Sequence, residues 1–218
     1  MDLETDTKYN LLVAGADGHA EDIVTTAAGN WRIAVCAAPD AYRQAADIQP
    51  HLIVFRSDAD ATDCAAKIRQ APLPLASVAM VSEGRDGGGR PSVDTWDGVI
   101  EPASREVLAS VLFDWMPVSM AAHQRVVSQF GADAIDPLRA RLRETLQEGL
   151  RLIEVGEAIR SDRAHRLAGI CGMLGFEATG AFWRDVFEGD ESRVAYAWRL
   201  SRLTIAAIDR HAVSQLQH

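Results

Sequence analysis

Cysteine is scarce in this chain, with three in 218 residues, at positions 36, 64 and 171. An odd number at wide spacing makes neither a disulfide framework nor a zinc-ligand pattern, and it suits a reducing compartment. No apolar run approaches the roughly 20 residues of a membrane span. The opening Met1-Asp2-Leu3-Glu4-Thr5-Asp6 is acidic and lacks the basic-then-apolar order of a signal peptide. A cytoplasmic protein with no membrane partner is expected. Also missing are a phosphate-binding GxxxxGK run and the GxSxG elbow of serine hydrolases, while Gly15-Ala16-Asp17-Gly18 lacks the spacing of a dinucleotide loop. Histidines 19, 51, 123, 211 and 218 are scattered without metal-ligand spacing. No metal and no cofactor are expected, and no site for a small-molecule enzyme is visible.

Lysine is absent from residues 118–218, where 13 arginines balance 13 acidic residues. The remaining 9 basic and 18 acidic residues lie in 1–117, which therefore carries the whole net charge of −9. Such a composition shift marks two domains, 1–117 and 118–218. An acidic first half opposes nucleic acid as a partner, because phosphate binding needs basic surface. A hydrophobic fraction of 48% against 24% charged residues is that of a globular chain.

The first half alternates short apolar runs with helical patterns. The runs Asn10–Ala14, Trp31–Ala37, His51–Phe55, Ala76–Ser82 and Gly98–Ile100 are rich in Val, Ile and Leu, as buried parallel strands are. Helical segments fall at 19–29, 39–48, 58–70 and 104–115, and EGRDGGGRP at 83–91 opposes a helix. The expected fold is a doubly wound, five-stranded parallel α/β domain. The second half has no strand signal and reads as an all-α bundle. Helices are expected near 119–130, 136–154, 157–174, 178–188 and 191–214. Asp136-Pro137 is read as a helix start, and Gly156, Gly175 and Gly189 as helix ends. Leu138, Leu142, Leu146, Leu150 and Ile153 form one core stripe, and Trp183 and Trp198 are assigned to the core.

The informative stretch is Ala164–Phe176, AHRLAGICGMLGF. At about 100° per residue, Leu167, Ile170, Cys171 and Leu174 face one side, and His165, Ala168, Gly169 and Gly172 the other. Two glycines inside a helix cost about 1 kcal/mol each relative to alanine, which suggests that something must approach this backbone closely. A lone imidazole on a cleared platform is what a docking phosphoryl donor needs.

These residues resemble the histidine phosphotransfer (HPt) domain, a helical bundle of four-helix type. That family carries its acceptor in His-x-x-Lys-Gly, with another glycine six residues on. His165, Gly169 and Gly175 match, and so does Ala164; the usual lysine is Ala168. The resemblance spans 118–218 and implies that His165 accepts and returns a phosphoryl group. It implies docking through Arg166, Ala168, Gly169 and Gly172, with Arg166 one residue from the acceptor as a candidate replacement cation. Arg160 and Arg163 flank the same helix, as a solvated face or as attraction for a partner's acidic pocket.

Residues 8–116 resemble a response-regulator receiver whose site has decayed. The metal-binding acidic pair after the first strand becomes Gly15 and Ala16, with Asp17 nearby. Arg56 stands where the phospho-accepting aspartate ends the third strand. Ser82 keeps the hydroxyl of the fourth strand, and Glu101 replaces the lysine after the fifth. The resemblance implies a pseudo-receiver without Mg²⁺ or phosphorylation. Arg56 and Glu101 exchange the signs of the family's pair, either as an internal ion pair or as two unrelated surface charges. The expected function is a phosphorelay carrier rather than a classical enzyme. Its expected partners are receiver domains or a hybrid histidine kinase, and the pseudo-receiver is a docking or homodimer-forming module. The alternative is a non-phosphorylated adaptor that sequesters a response regulator.

Overall fold

The computed structural model describes residues 9–15, 31–56, 59–83, 96–100, 112–154, 159 and 161–216. The chain divides into two compact units, Met1–Pro117 and Val118–His218.

In the first unit, β1 (Tyr9–Ala14), β2 (Trp31–Cys36), β3 (Leu52–Arg56), β4 (Ala79–Glu83) and β5 (Gly98–Ile100) form one parallel sheet in the order β2-β1-β3-β4-β5. The register pairs Leu11 with Leu52 and Leu52 with Ala79. Side chains alternate between faces along a strand. Leu12, Ala14, Ile53, Phe55 and Met80 pack with α1 (Ala41–Ile48) and α2 (Ala59–Arg69) in one core. Leu11, Val13, Leu52, Val54 and Val81 alternate with these and are equally buried, which is why the strands read as nearly continuous apolar runs.

Several boundaries differ from expectation by one to three residues. The segment expected to open a helix at 39 begins as a 3-10 turn, Ala38–Asp40. β3 runs on to Arg56, and β4 starts at Ala79, three residues later than its apolar pattern. That delay has a polar cause: Arg69 donates to the carbonyls of Ala76 (3.1 Å) and Val78 (2.7 Å) and to the Asp97 carboxylate (2.5 Å). Asp97, 4% exposed, also accepts from the Met80 amide. This buried ion pair, whose carboxylate also takes a backbone amide, ties the approach of β4 to the approach of β5. The helix expected at 19–29, the glycine-rich stretch at 83–91 beyond Glu83, and most of 104–115 lie outside the described residues.

The second unit contains α3 (Ala121–Phe130), α4 (Ala132–Glu154), α5 (Ser161–Met173), α6 (Glu177–Phe187) and α7 (Val194–Leu216). Leu142, Leu146, Leu150, Leu167, Cys171, Trp183, Ile205 and Ile208 build its core. Trp183 is fully buried, and its indole N–H donates to Ser201 Oγ (2.9 Å), so α6 is tied to α7. Arg143 on α4 grips Asp209 on α7 with both ends of its guanidinium; its Nη2 lies 2.8 Å from Oδ2. Asp136-Pro137 is not the helix start. The Ile135 amide already donates to Gly131 (3.3 Å), and Pro137 sits inside α4. Ile135, 5% exposed, anchors this extra turn, while Leu138 leaves the expected stripe for the surface.

Candidate functional site

The helix bearing His165 is framed by two kinds of glycine. Gly175 ends α5 with φ +84°, the Gly175 amide donating to Gly172 (3.2 Å) and the Phe176 amide to Cys171 (2.8 Å). That is a Schellman termination, in which glycine takes the left-handed position. A Cβ on Gly175 would also lie 2.7 Å from backbone atoms of Ala122 and His123 on α3. Gly180 on α6 is packed as tightly: its Cβ would lie 2.9 Å from the carbonyl oxygen of Ala168. Gly169 and Gly172 are different. Both are exposed, and a Cβ on either would meet nothing within 4 Å. Packing among the described residues of the second unit does not require them, although each weakens the helix.

His165 stands on this open strip, exposed, with Gly169 one helical turn further on and Gly172 nearly two. Met173 (57% exposed) and Phe187 (41% exposed) supply apolar surface at the two ends of the strip. The Phe187 ring centroid is 5.0 Å from that of His165. Ala168 does not belong to the strip. It is only 6% exposed, because α6 presses against α5 at Gly180 and covers it. Its assignment to the docking face is corrected accordingly, and the place of the family's lysine is turned into the α5–α6 contact.

Arg166 is exposed, but it turns to the opposite flank from Phe187. There it lines a groove of about 260 Å³ between α4 and α5 with Arg141, Glu144, Thr145, Glu148 and Arg163. Glu148 is bound by Arg163 (3.2 Å) and Arg151 (3.4 Å), and these two hydrogen bonds, Arg163's first, hold its carboxyl below the usual range. Arg141 pairs with Glu144 (3.4 Å). Arg166 makes no ion pair among the described residues. Arg160 lies outside the described residues.

A histidine that the sequence left unassigned supports the far end of α5. His123 on α3 is fully buried, and its Nδ1–H donates to the carbonyl of Leu174 (2.9 Å). Its ring stacks on Phe176 (5.2 Å). The signal was available, since His123 lies on a core-facing stripe, but isolated histidines carry no pattern. Burial pushes the Cys171 thiol up to about 12, which makes it core filler rather than a nucleophile.

In the first unit, Gly15 follows β1 with φ +95° and donates to the Cys36 carbonyl (3.0 Å). Arg56 ends β3, in register with Glu83 of β4, and Ser82, next to it, is buried. These strand ends lie side by side at one edge of the parallel sheet. Ala16, Asp17 and Glu101 lie outside the described residues, and so does any pairing of Glu101 with Arg56. Among the described residues, no cluster of three or more His, Cys, Asp or Glu is arranged to hold a metal, and no helix is long and apolar enough to cross a membrane.

No family model, curated protein or solved structure matches the chain.

Proposed function

We propose that the second unit is a phosphohistidine carrier of a two-component phosphorelay, with His165 as acceptor. One observation carries the reading: an exposed imidazole stands beside two helix-interior glycines whose missing side chains leave open space rather than filling an internal contact. A helix bears that cost where another molecule must come close to its backbone. A neutral imidazole offers one nitrogen lone pair. That nitrogen attacks the phosphorus of an aspartyl phosphate. The P–N bond forms as the P–O bond breaks, and the carboxylate leaves as an anion. The imidazole keeps its other N–H, and the reverse step returns the group. Mg²⁺ and most of the charge stabilisation belong to the partner receiver, so the carrier needs little machinery of its own. Arg166 supplies long-range attraction for that receiver's acidic pocket rather than contact with the phosphoryl group.

The first unit is read as a pseudo-receiver that serves docking or dimerisation. The strand order 2-1-3-4-5 is that of flavodoxin-like doubly wound folds, which supports the architecture; function rests on the site. Arg56 at the end of β3 leaves no carboxylate there to phosphorylate.

The test is incubation of the full chain with receiver domains of the same genome, each phosphorylated by acetyl phosphate. Transfer of label to the chain is expected from at least one. Binding to a phosphorylated receiver with no transfer would replace the carrier by the sequestering adaptor.

A further inference from the structure

Phe187 is a large apolar side chain that the bundle leaves 41% exposed, yet it touches the acceptor. Its ring centroid lies 5.0 Å from that of His165, with the planes tilted by 48°. Among the described residues the His165 imidazole makes no hydrogen bond, and the Phe187 ring lies against it.

The backbone holds Phe187 in place from two directions. Gly180, without a Cβ, lets α6 approach Ala168 and Gly172 of α5. Seven residues are close to two helical turns, so Phe187 lies on the same side of α6 as Gly180. It meets α5 at His165, one turn before Ala168, as antiparallel neighbours require. The last turn of α6 is then closed at Gly189 (φ +96°), whose amide donates to Val186 (3.2 Å) while that of Asp190 donates to Asp185 (3.0 Å). The turn that carries Phe187 is therefore capped rather than frayed.

We infer that Phe187 is a positioning residue for His165. Its ring limits rotation of the imidazole, so that the unprotonated nitrogen meets the incoming phosphorus in line. Alignment of this kind lowers the barrier of the bound complex without adding affinity. The inference rests on the carrier reading above and adds the residue that sets the geometry of attack.

The experiment compares the full chain with Phe187→Ala, Phe187→Leu and Phe187→Tyr, using two donors. One donor is a receiver domain phosphorylated by acetyl phosphate. The other is phosphoramidate, which is small, needs no docking surface and releases ammonia as the P–N bond to His165 forms. At saturating phosphoreceiver, Phe187→Ala should transfer severalfold more slowly at little cost in half-saturation, and Phe187→Tyr should match the parent. All the variants should react alike at His165 with phosphoramidate, and circular dichroism with a thermal melt shows whether each bundle is folded; Phe187→Leu takes the place of Phe187→Ala if the latter does not fold. A rate loss that disappears at saturation would make Phe187 a docking contact and overturn the inference. Unchanged rates with both donors, or equal slowing with both, would overturn it too, while the labelled parent left the carrier reading standing. If no receiver labels the parent at His165, the carrier reading fails and the inference with it.

Discussion

His165, Gly169 and Gly172 were legible in the sequence because helical spacing alone puts them on one side of α5, and all three are exposed. Ala168 was misplaced by the same geometry. It lies at the border of that face, and the approach of α6 at Gly180 decides the matter, a contact that spacing within one helix does not contain. The open space over Gly169 and Gly172 has a measurable consequence. Gly169→Ala and Gly172→Ala should each stabilise the chain by up to about 1 kcal/mol, because alanine is the better helix former and its methyl meets nothing. Denaturant titration reads the stability. The same variants, and more strongly Gly172→Leu, should weaken receiver binding in a titration. Lower stability of the alanine variants would show that the glycines serve the fold instead.

Among the elements, α5 owes its position to glycines of the opposite kind. Gly175→Ala would combine a left-handed φ with a Cβ 2.7 Å from the α3 backbone, and Gly180→Ala would press on the Ala168 carbonyl at 2.9 Å. Each should cost about 1–3 kcal/mol, the usual range for overpacking; thermal melts that match the parent would contradict these contacts. Gly175 was readable as a helix end, whereas the start of α4 was not. Asp136-Pro137 is a strong local start signal, but the buried Ile135 extends α4 one turn upstream of it. A pH dependence belongs to the α3–α4–α7 contact. Burial, then Arg139 and His123, lower the pKa of His211 below its ordinary 6.5, against the opposing pull of Asp136. The folded state therefore binds fewer protons than the unfolded chain in that window. The contribution is complete above about 6.5 and is lost as pH falls through the lower, folded value. Melting temperature should drop on acidification below 6.5, and His211→Gln should flatten that drop. Parallel pH profiles for parent and variant would contradict the assignment to His211.

For the whole molecule, the strands were legible because parallel strands buried on both faces leave nearly continuous apolar runs. The buried Arg69–Asp97 pair was not, since charge pairs separated by 28 residues leave no local pattern. The first unit brings Arg56 to the end of β3, beside buried Ser82, and places Gly15 after β1. Neither Gly15 nor Arg56 offers the carboxylate oxygens a hard cation prefers. Mg²⁺ and beryllofluoride should therefore leave the full chain unchanged in calorimetry, and Arg56→Asp alone should not restore binding. A Mg²⁺-dependent beryllofluoride isotherm would overturn the pseudo-receiver. One measurement tests the acceptor role of His165 most directly. The parent chain and His165→Gln are exposed to the same phosphorylated receiver, and label on the chain is followed in time. His165→Gln should fold with unchanged melting temperature, because an exposed side chain loses no core packing, and it should take no label while the parent does. Labelling of His165→Gln at the parent's rate would place the acceptor elsewhere and contradict the account.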